Sequence, residues 1–470
     1  MVKSLWTSAA LEKALGGKSS AGFAAAGVSI DSRSVAPGDL FIALAGPSHD
    51  GHAFVADAFK AGAAGAVVHK SGKYPGPVIR VPDTMAALTA LGAAGRVRAK
   101  AARVIGVTGS VGKTGTKEML GAILAAQGKA HVSQGSHNNH WGVPLTLSRL
   151  PADAAFAVQE IGMNHAGELA ALTRIARPDV AVITTVGPAH LEYFADLAAI
   201  VAAKCEIFEG LTPGGAAVLP LDHGFFGDME RAAKAAGAGN VITFGVKEGA
   251  DLRLLSARVI ALRTEVEAEI GGQAVAFSLP FVGAHWGMNA LAAIGGAIGA
   301  GADIAAALDA LEHIEVPAGR GALSEVPCAD GDFVLIDESY NANPQSMTAA
   351  IDALAAVATM RQLFGTGRAF AVLGDMFELG PTAKALHAAV AAQLKAKEID
   401  RLFAAGGLMK AAFDAVPEKM RAAHAETADA LIAPLLAEIR AGDVVMVKGS
   451  HGMRMDRIAA ALKNPTRKAE

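Results

Sequence analysis

Residues 104–120 read Val104-Ile105-Gly106-Val107-Thr108-Gly109-Ser110-Val111-Gly112-Lys113-Thr114-Gly115-Thr116-Lys117-Glu118-Met119-Leu120. The stretch opens as a short apolar run, the pattern of a buried parallel strand. It breaks into a glycine-rich turn and resumes with helix formers. Strand, glycine turn and helix together make a phosphate cradle. Gly109 and Gly112 let the backbone curl so that successive N–H groups of Gly109, Ser110, Val111, Gly112, Lys113, Thr114 and Gly115 converge on an anion. The helix start adds free N–H groups and the positive end of its dipole. Lys113 suits the β- and γ-phosphates, and the Thr114 hydroxyl suits magnesium. The usual G-x-x-x-x-G-K-[ST] spacing would put its first glycine at 107, where Val107 stands. What is present is the shorter Gly109-x-x-Gly112-Lys113-Thr114. This order of residue types points to an enzyme of nucleoside triphosphates.

The chain has 470 residues, enough for about three domains. No apolar run is long and continuous enough for a membrane span; the best, Ala290 to Ala302, is short, glycine-rich and stops at Asp303. Met1 to Trp6 leads straight into Glu12 and Lys13, without the apolar core of a secretory signal. A formal net charge of −3 gives no sign of a nucleic-acid or anionic-membrane partner. Cys205 and Cys328 make no disulfide framework and no zinc spacing. The expectation is a soluble, cytoplasmic, multidomain α/β protein, by default a monomer.

Three units are expected. Residues 1–102 read as a small α/β domain, with a helix over Thr7 to Leu15 and strands over 40–44 and 66–68. Asp31, Arg33 and Asp39 sit in turns there, equally compatible with solvated turn residues and with ligand contacts. Residues 103–317 form the phosphate-loop domain with a parallel sheet. A polar loop runs over 136–144. A strand over 154–158 has Glu160 at its carboxyl end, and one over 179–186 is followed by His190. Ligands collect at the carboxyl ends of parallel strands, so Glu160 and His190 share a rim with Lys113. Residues 252–279 alternate in the manner of a small antiparallel sheet with a turn at Gly271-Gly272. Residues 318–470 repeat strand, loop and helix, a Rossmann-like pattern without the dinucleotide glycine fingerprint.

Several segments then fall into one order: the phosphate loop, Asn138-Asn139-x-x-Gly142-Val143-Pro144, Glu160-Ile161-Gly162-Met163-Asn164, Gly187-Pro188-Ala189-His190, Ala203-Lys204-x-Glu206-Ile207-Phe208, Gly283-Ala284-His285-x-x-x-Asn289-Ala290 and Asp337-Glu338-Ser339-Tyr340-Asn341-Ala342-Asn343-Pro344. Each is modest alone. As a set spanning nearly the whole chain they resemble the Mur ligases of peptidoglycan synthesis. The resemblance implies a UDP-sugar-binding first domain, an ATP-binding second and a ligase third. It implies ATP-dependent ligation of D-alanyl-D-alanine to UDP-N-acetylmuramoyl-tripeptide through an acyl phosphate, releasing ADP and phosphate.

By the same resemblance Lys113, Glu160, His190 and Lys204 are catalytic. Thr114, Glu160, His190 and Lys204 would hold two magnesium ions, Lys204 as a carbamate. Asn289, Arg320, Asp337 and, more weakly, Tyr340 would hold ATP with the cradle. Ser32, Arg33, Asn138 and Asn139 would contact the UDP-linked substrate. From the residues alone, Lys204 reads as an exposed helix lysine. The competing class is a phosphate-loop ATPase or kinase, which would need neither Lys204 nor His190 nor the first domain.

Overall fold

The computed structural model describes residues 4–46, 49–188, 192–363 and 367–464. Its main β-structure is three sheets in chain order. The first has five strands, in the order Lys18–Ser19, Val78–Arg80, Gly65–Val68, Asp39–Ile42, Gly27–Ser29; all neighbours are parallel except the first pair. The helix over Ser8–Leu15 starts where Thr7 Oγ1 accepts the N–H of Ala10, a side-chain cap, and stops at Gly16 in the left-handed region.

The second sheet has nine strands. The apolar run at 104 forms a strand, Arg103–Thr108, buried throughout except at Arg103. It is flanked by Phe156–Glu160 on one side and Val180–Ile183 on the other, both parallel to it. Ala216–Pro220 and Asn240–Gly245 extend the parallel part. The antiparallel segment expected over 252–279 is three strands, Leu252–Ile260, Arg263–Ile270 and Gln273–Leu279. They do not stand apart: Leu252 and Arg253 pair in parallel with Phe244 and Gly245, so the meander continues the same sheet. Against one face lie the helices Lys113–Ala125 and His285–Gly299, whose Met119, Leu120, Leu291 and Ile294 are fully buried with Val107 and Val182 of the strands. The small residues Gly295, Gly296 and Gly299 bring the second helix close to those strands. The expected loop over 136–144 ends early, because a buried helix begins at Gly142 and runs to Ser148.

The third sheet has six strands in the order Ala322–Cys328, Gly331–Glu338, Val444–Lys448, Ala369–Gly374, Arg401–Ala405, Arg421–Ala425. All pairs are parallel except the first, a hairpin that periodicity did not reveal. Pro344 opens the long helix Pro344–Gln362 with Asn343 as its cap: Asn343 Oδ1 accepts the Ser346 N–H and Ser346 Oγ accepts the Asn343 N–H.

The first sheet is fastened to the second by close helix packing. Trp6 donates its indole N–H to the Ser148 carbonyl at 2.9 Å, and the Arg98 guanidinium lies 3.9 Å over the Trp6 ring. On the helix Thr84–Arg98, Gly92 and Gly95 face the helix Gly142–Ser148. A Cβ on Gly95 would stand 2.1 Å from the Leu147 carbonyl oxygen. In an open helix Gly→Ala would stabilise by about 1 kcal/mol. Here the backbone carbonyl cannot yield cheaply, and the sign reverses. Gly95→Ala is expected to lower stability by roughly 1–3 kcal/mol, read as a fall in Tm; an unchanged or raised Tm would show that the two helices separate freely.

Candidate active site

The carboxyl end of Arg103–Thr108 meets the carboxyl ends of its two neighbours, and the site is built there. Gly109 has φ +150°, and a Cβ on it would stand 2.0 Å from Thr184 Oγ1. Gly112 has φ +84° and caps the helix Lys113–Ala125; a Cβ there would stand 2.4 Å from Asn289 Oδ1. A side chain at either position would collide with these neighbours. Ser110 Oγ both donates to the Gly187 carbonyl and accepts the Gly187 N–H, each at 3.0 Å, and the Ser110 N–H reaches the Thr185 carbonyl. Thr184 Oγ1 donates to the Val111 carbonyl at 2.5 Å. The turn is thus moulded by the strand Val180–Ile183 and its following loop. Gly115 lies under Trp286, where a Cβ would meet the indole at 2.5 Å.

Lys113 Nζ folds back onto the Gly109 carbonyl at 2.7 Å. Burial lowers its pKa from the ordinary lysine value, Glu160 opposes that shift and Arg320 adds to it. Thr114 Oγ1 donates to Glu160 Oε2 at 2.7 Å, with both side chains buried. Asn138 Nδ2 donates to the other carboxylate oxygen, Oε1, at 2.7 Å. The asparagine expected near the sugar-nucleotide thus also touches Glu160. Its neighbour Asn139 accepts the Gly142 N–H at 3.0 Å and stabilises the start of the next helix.

Lys204 is not an exposed helix lysine. It is fully buried near the end of the helix Leu197–Cys205, and among the described residues its Nζ has no hydrogen-bond partner. Burial, and after it the charge of Lys113, holds its pKa well below the ordinary lysine value; Glu206, Glu160 and Glu168 pull the other way. Lys204 therefore belongs to the same electrostatic neighbourhood as Lys113 and Glu160. His190 lies outside the described residues. Among the described residues no group of three His, Cys, Asp or Glu side chains is gathered as a metal centre. The donors that fit magnesium are oxygens: the Thr114 hydroxyl and the Glu160 carboxylate lie side by side, as a hard cation requires.

The third sheet contributes across the gap. Arg320 Nη2 donates to Ser136 Oγ at 3.0 Å, and its guanidinium stacks 4.1 Å over the Tyr340 ring. Asp337, at the carboxyl end of Gly331–Glu338, is buried and already paired: Oδ1 accepts the Ser339 hydroxyl at 2.6 Å and Oδ2 accepts Lys463 Nζ at 2.8 Å. Ser32 and Arg33 form a short turn of the first sheet's domain, where exposed Arg33 pairs with Asp31. Lys113, Thr114, Glu160, Asn138, Lys204 and Arg320 thus gather in one region. Ser32 and Arg33 are held by local contacts of their own domain. Sequence reading missed the Asn138 bond to Glu160 and the Arg320 bond to Ser136, because neither residue type nor spacing names a partner 22 or 184 residues away.

Three family models match the chain: "Mur ligase family, catalytic domain" over residues 25–123, "Mur ligase middle domain" over 107–297 and "Mur ligase, glutamate ligase domain" over 324–451. The UDP-N-acetylmuramoyl-tripeptide–D-alanyl-D-alanine ligase of Bacillus subtilis is 35% identical over 446 residues, 93% of each chain. The chain belongs to the Mur ligase family. Among solved structures of Mur ligases, MurF from Acinetobacter baumannii aligns with a TM-score of 0.83 at 30% identity, covering 97% of this chain and 98% of that one. MurF ligase from Thermotoga maritima in complex with ADP aligns at 0.76 and 26% identity, covering 93% and 97%. The three sheets of this Mur ligase are therefore the α/β architecture of its relatives. Among its described residues no helix is long and apolar enough to cross a membrane.

A buried amine without a partner is unfavourable for the fold itself. Lys204→Met is expected to stabilise the ligand-free protein by about 1–2 kcal/mol, because the apolar side chain removes an unmet donor. Thermal unfolding without ligands checks this; a lower Tm for the variant would mean that the amine has a partner in solution.

Proposed function

We propose that this Mur ligase joins D-alanyl-D-alanine to UDP-N-acetylmuramoyl-tripeptide in the cytoplasm, with ATP converted to ADP and phosphate. What carries the reading is the extent of the similarity: it covers 93% of this chain and 93% of the Bacillus subtilis ligase, not the nucleotide cradle alone. A phosphate-loop ATPase sharing only the cradle would match only in the second sheet. The functional units are 1–102 for the UDP-linked substrate, 103–317 for ATP and 318–470 for completing the ATP site and receiving the dipeptide.

The chemistry follows from the residues. The terminal carboxylate of the tripeptide attacks the γ-phosphorus of ATP, forming an acyl phosphate and releasing ADP. The dipeptide amine then attacks the acyl carbon, loses a proton, and phosphate leaves as the amide forms. The first step brings two anions together. Lys113 swings from the Gly109 carbonyl onto the phosphates, whose charge favours its ammonium form. The backbone N–H groups of 109–115 and the start of the helix Lys113–Ala125 hold the rest of the triphosphate. Arg320, stacked on Tyr340, adds a second cation from the third unit, with Asp337 close by at a strand end. Asn289, packed against Gly112, completes the nucleotide contacts. Ser32, Arg33, Asn138 and Asn139 would contact the UDP-linked substrate.

Thr114, Glu160, His190 and Lys204 are the residues that would hold magnesium. Bound there, the metal would screen the negative charge of the transferring phosphoryl group. Lys204 serves as a carbamate. Only a neutral amine reacts with carbon dioxide, and the burial of Lys204 is what lowers its pKa toward that form. The product would be an anion with two oxygen donors at a position where an ammonium would repel the metal.

The test is phosphate release by the purified protein. It is expected only when ATP, UDP-muramoyl-tripeptide and D-alanyl-D-alanine are all present; release with ATP alone would favour the simple ATPase. Lys113→Ala should fold normally and lose turnover by about 100-fold or more, since the lost charge acts where charge develops. Near-normal turnover in that variant would exclude Lys113 as the phosphate lysine. Lys204→Ala should lose most activity yet still bind ATP, with partial recovery in high concentrations of a small carboxylic acid. A fully active Lys204→Arg enzyme would rule out the carbamate, because a guanidinium cannot form one.

A further inference from the structure

Lys117 is a fully buried cation that the chemistry above leaves unused. It follows Lys113 by four residues on the same helix, so both lysines leave one helix face. Its ammonium donates to two carbonyls, Ser133 at 2.8 Å and Gly135 at 2.9 Å, and Glu118 Oε1 lies 2.6 Å away as an ion-pair partner. A buried charge persists only when paired and hydrogen-bonded in this way. Both carbonyls belong to one segment, 133–139.

That segment supplies the site. Ser133 Oγ accepts the Glu160 N–H at 3.1 Å, Ser136 Oγ receives Arg320, and Asn138 donates to the Glu160 carboxylate. The Asn138 carbonyl in turn accepts the Gly162 N–H at 2.8 Å. Beyond Ser133, whose N–H still reaches the Val158 carbonyl, the segment belongs to no strand or helix before Gly142, and Gly135 turns it through φ +52°. Its inward carbonyls therefore depend on a donor from elsewhere, and the phosphate-loop helix provides it.

We propose that Lys117 is a positioning residue: it clamps the 133–139 segment to the phosphate-loop helix, so that Asn138 orients Glu160 and Ser136 meets Arg320 in register with Lys113. This rests on the ligase reading above, in which Glu160 is a magnesium ligand. Outer partners of metal ligands act on metal affinity. Lys117→Met keeps most of the length of the side chain and removes the ammonium with its N–H donors. Two readouts are expected to move together. In the protein without metal or nucleotide, amide hydrogen exchange over 133–139 should quicken while the strand Arg103–Thr108 stays protected. In the full reaction, the magnesium concentration for half-maximal turnover should rise roughly 10-fold or more, with kcat at saturating magnesium falling much less.

Asn138→Ala should raise the magnesium requirement to a similar degree without quickening exchange to the same extent. The double variant should be no worse in magnesium requirement than the more impaired single variant, since both act through one contact. Wild-type exchange over 133–139 in Lys117→Met, or an unchanged magnesium requirement, or fully additive losses in the double variant, would overturn the proposal. If Lys117→Met does not fold, Lys117→Gln is measured instead: its amide can serve one carbonyl but not both, so exchange should still quicken, and wild-type exchange overturns the proposal. Wild-type turnover is measured alongside. If the wild-type protein does not ligate the tripeptide and dipeptide, the functional reading fails on its own; if it does and Lys117→Met matches it in both readouts, only the role of Lys117 fails.

Discussion

The hydrogen bond from Thr114 to Glu160 is the contact on which the arrangement of the site depends. Thr114 begins the helix after the phosphate turn, and Glu160 ends the strand beside the one that leads into that turn. The two can meet only because Arg103–Thr108 and Phe156–Glu160 are parallel neighbours in register, with Val107 opposite Glu160. Parallel neighbours put both following loops on the same edge. The strand on the other side, Val180–Ile183, moulds the turn from its own carboxyl end through Thr184 and Gly187. A cradle for anions and a carboxylate for a hard cation thus become adjacent through backbone pairing, before any ligand arrives.

Around that contact the chain buries more ionisable groups than a core needs. Glu160, Lys117 and Lys204 are all buried, and each is handled differently. Glu160 is accepted because Thr114 and Asn138 donate to both of its oxygens. Lys117 is accepted because three oxygens surround it. Lys204 alone of the three has no partner among the described residues, and desolvation pushes its amine toward the neutral form. A buried amine left unsatisfied is costly to the fold, and such a group often has its place in a reaction.

Close approaches near the site hold the third unit against the second, beside an apolar contact in which Val282, Val259 and Leu262 pack with the third unit's core. Arg320 bonds Ser136, and Gly187 lies so near Gln345 that a Cβ on it would stand 2.3 Å from Gln345 Oε1. Gly321 packs near the edge of Trp286, which also covers Gly115 of the phosphate turn. Glycine at these points lets elements from two sheets touch without side chains between them. The same device, Gly92 and Gly95 against a backbone, joins the first unit to the second.

Much of this was legible in the chain itself. The glycines, lysine and threonine of 109–114 specify a strand–turn–helix cradle because only glycine tolerates φ +84° at 112 and only small residues leave room for an anion. Apolar periodicity marked the parallel strands, and strand ends marked Glu160. The hairpin at Ala322–Cys328 escaped, since its mixed residues carry no clean alternation, and the continuity of the meander with the parallel sheet escaped because it depends on pairing at Phe244 and Gly245 alone. The partners of Asn138, Arg320 and Lys117 were decided only by tertiary structure. Sequence names residue types and local backbone preferences; it does not say which distant carbonyl or carboxylate a donor will meet. That is fixed by strand order and helix packing. For Lys204 the difference is sharpest: the same side chain reads as solvated or buried until the fold encloses it, and burial is what changes its chemistry.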